Sequence, residues 1–203
     1  VIRRFDVVAL QEVRGQLRAL RDTLRLLGPN WGLSLTDVTR GDRGNGERMG
    51  FLFDTRKCQL SGLACELVVP AEREDEIAQA ALHRQFARTP YAVSFRAGGK
   101  TFILVTLHVL WGDSSGDRIP ELRAIARWMA DWANDVNAWD HNLVALGDFN
   151  IEREGDPTYD AFTSTGLTVP DDLHEVPRTI FADTGAVSGK RSEEHTSELQ
   201  SPS

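Results

Sequence analysis

Short apolar runs alternate with polar, glycine-containing segments along most of the chain, and these runs predict β-strands. They are rich in β-branched and aromatic residues, and their length is typical of buried strands. Residues 97–100 (AGGK) predict a hairpin turn between two of the runs. The predicted strands lie at 5–10, 31–38, 49–53, 57–69 (one or two strands), 91–96, 101–107 and 142–146.

Two segments instead show helical periodicity. The first carries Leu17, Leu20, Leu24 and Leu27 and ends at Gly28-Pro29. The second begins at Pro120, and its apolar face consists of Leu122, Ile125, Ala126, Met129, Trp132, Ala133 and Val136. Beyond Gly155 the pattern predicts loops. Strands covered by helices indicate a single α+β or α/β domain.

Composition narrows the class of protein. The 203 residues are 41% hydrophobic and 26% charged, which fits a globular domain and excludes a fibrous or wholly disordered chain. Two cysteines cannot build a disulfide framework or a four-thiolate zinc site. A net charge of −7 argues against a generally basic nucleic-acid binder but leaves room for a local basic groove. No apolar run is long enough to cross a membrane.

The two ends of the chain look atypical. Residues 191–203 (RSEEHTSELQSPS) resemble the in-frame translation of a sequencing-library adapter, and the chain begins without Met. We therefore predict one domain over residues 1–190 and a non-native tail over 191–203, which is left out of the fold prediction.

Three of the apolar runs are followed directly by polar residues with chemical potential. Gln11-Glu12 follows the first run. His108 follows the run at 101–107, which has the strongest strand pattern in the chain. Asp148-Phe149-Asn150 follows the last run. The ends of buried strands are where sheet proteins place ligand-binding and catalytic residues. Each residue alone has a structural explanation, as a turn carboxylate or a core histidine, but three such strand ends favour a site.

Carboxylates beside an amide oxygen suit Mg²⁺, Mn²⁺ or Ca²⁺ better than zinc. His108 is then better suited to act as an acid, a base or a charge stabiliser than as a metal ligand. Arg14 and Arg88 lie near strand ends and could hold phosphate oxygens, although such arginines commonly pair with surface carboxylates.

The ordered motifs DVVALQEVR, ERMGFLF, RTPYAVSF, ILVTLHV, ALGDFN and RTIF resemble the endonuclease/exonuclease/phosphatase superfamily, from residue 5 to about residue 190. The resemblance implies a four-layer αββα sandwich of α+β class, incomplete here at both termini. It also implies divalent-metal-dependent hydrolysis of phosphate esters, with phosphodiester or nucleic-acid cleavage as the leading reaction. Alternatives are a phosphomonoesterase, a sphingomyelinase-like lipid phosphodiesterase, or an inactive binding module.

The resemblance also assigns roles to individual residues. Glu12 matches the metal-binding glutamate, with Mg²⁺, or else Mn²⁺ or Ca²⁺, as its ion. The residues matched to catalytic roles are Glu47, which orients the histidine, His108, Asp148 and Asn150. The residues matched to substrate phosphate are Arg14, Arg88 and Thr179. We expect a monomer without membrane insertion that acts on a phosphate ester, with nucleic acid as one candidate substrate.

The chain departs from the family pattern in three places. The family has a metal-linked Asn on a strand that would precede residue 1, and an Asp and then an Asp-His pair that would follow residue 190. His195 has no matching context. Asn45 stands where the deoxyribonuclease branch tends to carry an aromatic residue. We therefore expect this chain by itself to bind metal weakly and to have little activity.

Overall fold

The computed structural model describes residues 1–38, 46–68 and 86–174, together with the backbone of residues 197–202. The strands are β1 (Val7–Val13), β2 (Trp31–Leu35), β3 (Arg48–Asp54), β4 (Gln59–Glu66), β5 (Tyr91–Ala97), β6 (Lys100–His108), β7 (Leu143–Asp148), β8 (Leu167–Thr168) and β9 (Ser197–Pro202). The helices are α1 (Arg18–Leu27), α2 (Ile119–Asn134), α3 (Pro157–Thr163) and α4 (Asp171–His174).

The strands form two sheets. The first is antiparallel with the order β1-β3-β2. The second has the order β4-β5-β6-β7-β9-β8, and only β6 and β7 pair in parallel within it. A parallel pair needs a long crossover connection, and α2 provides it.

The hydrophobic core divides into two layers. One layer lies between the sheets and joins residues of β3 to residues of β5, β6 and β7, with Phe95 packed edge-on against both Phe51 and Phe53. The other lies between the second sheet and helices α2 and α3. Helix α1 contacts β2 of the first sheet. The protein is therefore an α+β sandwich of two packed sheets flanked by helices, as predicted.

Several sequence predictions need correction. The chain beyond Gly155 is not all loop, because Pro157 begins α3, and Phe162 of this helix is fully buried. The strand predicted at 31–38 ends at Leu35. Trp139 is 58% exposed and lies over Gly62. Within the described ranges no helix is long and apolar enough to span a membrane.

Strands β6 and β7 approach each other unusually closely at Gly147. This glycine has a φ of +139° and pairs with Leu107. A Cβ atom at this position would stand 2.1 Å from the carbonyl oxygen of Leu107. Only glycine fits here, and the approach fixes the strand ends at which His108 and Asp148 lie.

Strand β9 belongs to the tail that the sequence analysis set apart. It pairs antiparallel with β7 on one side and β8 on the other. An open strand edge offers backbone donors and acceptors that an extended segment of almost any sequence can pair with. The pairing is thus compatible with a non-native origin of the tail, which stays a prediction.

Candidate active site

The parallel pairing of β6 and β7 brings two predicted site residues to the same edge of the second sheet. His108 and Asp148 are register partners at the carboxyl ends of these strands. The Nε2 atom of His108 lies 3.9 Å from Oδ2 of Asp148. Both residues are buried.

Glu47 joins the imidazole to an arginine. Its Oε2 atom accepts a hydrogen bond of 2.6 Å from Nε of Arg88 and lies 3.3 Å from Nδ1 of His108. Its other oxygen, Oε1, lies 3.8 Å from Nη2 of Arg14, whose side chain is 71% exposed. Strand β3 follows Glu47 directly, and the buried strand β5 begins three residues after Arg88, so both side chains are carried by rigid elements.

These side chains are almost completely shielded from solvent. Glu47, Arg88, His108 and Asp148 are each less than 9% exposed. A carboxylate at Nδ1 fixes the orientation of the ring and directs Nε2 toward Asp148. In a buried setting the electrostatic effect of each group on a bound phosphate is larger than it would be in water.

Asn150 is held by backbone contacts. Its amide nitrogen donates to Oδ1 of Asp148 at 3.1 Å, and its side-chain Nδ2 donates to the carbonyl of Val109 at 2.6 Å. It has a φ of +52°, so the Asp-Phe-Asn segment is not extended. The turn folds the backbone amide of Asn150 onto the Asp148 carboxylate.

Glu12 is the other non-glycine residue with positive φ, at +56°, in the described part of the chain. It lies at a β-bulge of β1, where the pairing with β3 shifts between Leu10 and Val13. Its side chain is exposed, whereas Gln11 beside it crosses to the second sheet and donates to Oγ1 of Thr106 at 2.7 Å. Strained residues of this kind concentrate at functional sites.

The donor types fit a hard divalent cation. Magnesium sites in proteins commonly use one or two carboxylates and complete the shell with water and substrate phosphate. Glu12 and Asp148 supply carboxylates and Asn150 an amide oxygen, while the described ranges hold no group of three His, Cys, Asp or Glu side chains arranged as a metal cage. Carboxylate and amide oxygens are donor types that suit such a cation, and substrate phosphate would help to hold it. Thr179 lies outside the described residues.

Sequence reasoning missed two buried charges beside the site. Arg118 ends the 3₁₀ turn that leads into α2, and Glu121 lies in the first turn of that helix. Burial raises the pKa of Glu121 to about 7, although hydrogen bonds from two backbone amides and the charge of Arg88 oppose that rise. An acidic residue in a first helical turn is ordinary, so the sequence offered no signal for either residue.

Two packed sheets flanked by helices, with a buried group of Arg88, Glu47, His108 and Asp148, agree with one family of known proteins. The chain belongs to the Endonuclease/Exonuclease/phosphatase family, whose family model matches residues 1–192. The match ends two residues beyond the boundary predicted for the domain.

Individual proteins support the same assignment. A deoxyribonuclease of Thioalkalivibrio sp. (strain K90mix) is 30% identical over 158 residues, which make up 75% of this chain and 40% of that protein. A conserved protein of unknown function from Enterococcus faecalis V583 has a similar structure, with a TM-score of 0.66 and 16% identity over 99% of this chain and 75% of its own. A mannosyl-6-phosphatase of Bacteroides thetaiotaomicron VPI-5482 gives a TM-score of 0.55 and 20% identity over 81% of this chain and 58% of its own. The two structures share the fold.

Proposed function

We propose that the protein is a divalent-metal-dependent phosphodiesterase or endonuclease that cleaves by in-line attack of water. The observation that carries the proposal is the buried series of contacts from Arg88 through Glu47 and His108 to Asp148. Family members generally use a divalent metal, and the similarity to a deoxyribonuclease favours a nucleic-acid substrate.

Each side chain has a role in this reaction. Asp148 orients the attacking water or accepts its proton, and Asn150 holds Asp148 in place through its backbone amide. His108, oriented by Glu47, stabilises the negative charge that develops on the phosphate. Arg88 adds a fixed positive charge, and the exposed Arg14 is free to reach a substrate from the edge of the site.

Glu12 would hold the metal, and Asp148 and Asn150 offer further oxygen donors of a suitable type. When bound, Mg²⁺, Mn²⁺ or Ca²⁺ would polarise a phosphoryl oxygen and offset charge in the transition state. We also propose Thr179 as a phosphate contact, on the family resemblance.

The test is cleavage of plasmid and single-stranded DNA by the full-length gene product in Mg²⁺, Mn²⁺ or Ca²⁺, before and after addition of a chelator. We expect the chelator to abolish cleavage and His108→Ala or Asp148→Asn to reduce it about a hundredfold or more. His141→Ala is the matched control, because His141 is exposed and bonded to the backbone of α2. Cleavage that resists the chelator, or that survives His108→Ala, would contradict the proposal.

A phosphomonoesterase or a lipid phosphodiesterase is the second candidate, and the net charge of −7 favours it because it disfavours a polyanionic substrate. A panel of DNA, sugar phosphates, inositol phosphates and sphingomyelin separates the two. Binding of DNA without turnover of any substrate would instead indicate a binding module.

A further inference from the structure

The start of α2 carries two buried side chains of opposite charge. Arg118 is 3% exposed and Glu121 is 2% exposed. Burying charged groups costs free energy unless hydrogen bonds compensate for the lost water. The groups that compensate here are backbone atoms of the loops that carry the candidate active site, together with the Glu152 carboxylate, which lies 3.3 Å from Nη1 of Arg118.

Glu121 connects two of these loops. Its Oε1 atom accepts a hydrogen bond of 3.1 Å from the amide of Ala87, the residue before Arg88. Its Oε2 atom accepts one of 2.9 Å from the amide of Leu110, two residues after His108. A single carboxylate therefore fixes the spacing between the backbones of Arg88 and His108.

Arg118 connects the same loop to a third. Its Nε donates to the carbonyl of Trp111 at 2.7 Å, and its Nη1 donates to the carbonyl of Asn150 at 2.8 Å. The guanidinium also lies over the indole of Trp111, with Cζ 4.0 Å from the ring centroid. The hydrogen bond to its carbonyl supports Asn150 in its strained, left-handed conformation, two residues after Asp148.

Resting on the proposed function, we infer that Arg118 and Glu121 are positioning residues that together set the relative placement of Arg88, His108 and Asn150. The hydrogen bonds of Glu121 to Ala87 and Leu110, and of Arg118 to Trp111 and Asn150, all go to main-chain atoms. Three loops from separate parts of the sequence thus share one support at the start of a single helix. Loss of the support is expected to misplace the catalytic groups relative to one another while leaving the fold in place.

The first test is Arg118→Lys, since lysine keeps the charge but lacks the planar fork that bridges two carbonyls. We expect kcat on the substrate cleaved by the wild type to fall about tenfold, with KM changed less than about threefold. Misplaced groups stabilise the transition state less well, whereas they affect the binding of substrate less. Arg123→Lys, an exposed position on α2, is the matched control and should retain wild-type kinetics. Wild-type kcat in a folded Arg118→Lys protein would overturn the inference.

The second test does not depend on activity. Glu121→Gln removes one of the two acceptors, so amide hydrogen exchange at Ala87 or Leu110 should accelerate about tenfold, the value of one lost hydrogen bond. The amide of Val105, in the middle of β6, should be unchanged. Unchanged exchange at both loop amides, or equal acceleration at all three, would overturn the inference. If the wild type cleaves no substrate, the proposed function fails, and the exchange data still decide whether the loops share this support.

Discussion

At the scale of single residues, Glu47 is the centre of the site. One of its carboxylate oxygens faces both the guanidinium of Arg88 and the imidazole of His108, and all three side chains are buried. A buried carboxylate of this kind is stabilised only as long as its partners stay in place. The geometry of the candidate site and the stability of the fold therefore both depend on Oε2 of Glu47.

Glu47→Gln keeps the shape of the side chain and removes its charge. We expect the free energy of unfolding to fall by about 3 kcal/mol, since the guanidinium of Arg88 is left buried without its partner. Urea denaturation measures the change, and Glu154→Gln, at an exposed glutamate, is the control. A loss no larger than that of the control would show that Glu47 and Arg88 do not form a buried pair.

Glu121 makes stability depend on pH. Its pKa is about 7 in the folded protein against an ordinary value of 4.5, so between these pH values the folded protein binds a proton that the unfolded chain releases. The free energy of unfolding should therefore fall as the pH rises from about 5 to about 8, by about 3 kcal/mol from this group.

Comparison with Glu121→Gln isolates this effect. The pKa of Glu66 is also raised by burial, but Glu66 is present in both proteins and cancels in the difference. We expect the pH dependence of the variant, measured by urea denaturation, to be flatter than that of the wild type. Parallel profiles would mean that Glu121 titrates normally.

Site residues could be predicted from the sequence where they follow a strand. His108 and Asp148 come directly after apolar runs, and parallel pairing makes such ends converge. Arg118 and Glu121 act through backbone atoms of loops far away in the sequence, and no local pattern encodes such contacts. The left-handed turn at Asn150 was also not predicted, because the pattern that indicates a strand says nothing about the turn that follows it.

At the scale of secondary structure elements, α3 supports the site from behind. Phe162 of this helix packs edge-on against Phe149, with 4.9 Å between ring centroids, and both rings are fully buried. Phe149 lies between Asp148 and Asn150, so the ring anchors the turn that carries both. The sequence predicted a loop here because a helix of seven residues is too short to show a periodic apolar face.

Phe162→Ala should remove this anchor. We expect a loss of about 3–5 kcal/mol in the free energy of unfolding, the usual cost of a large cavity in a core. Leu26→Ala, at a position 79% exposed on α1, should change stability by less than about 0.5 kcal/mol. Thermal and urea denaturation of both variants measure the difference. Equal stability of the two would mean that α3 does not pack as described.

At the scale of the whole molecule, the sheets were predictable in number and class but not at their edges. Apolar runs identify the central strands β3, β5, β6 and β7, because these must be buried on at least one face. The segment that pairs with the outer edge of β7 is selected by backbone hydrogen bonds. Nearly all residue types can make these bonds, so the sequence gives little indication of the partner. In this chain β9 takes that place.

Deletion of residues 191–203 tests the role of this strand. Without β9 the edge of β7 is open, and we expect the protein to associate with itself as its concentration rises. Light scattering after size-exclusion chromatography would detect the association. A monomer of unchanged stability at all concentrations would show that the tail does not occupy this edge in solution.

The contact between Gly147 and the carbonyl of Leu107 also has a genetic consequence. A position with no room for a side-chain carbon cannot be substituted in evolution, even by alanine. Every base change in the first two positions of its codon replaces glycine. In a saturation library selected for folded protein, this codon should therefore survive only as its synonymous forms.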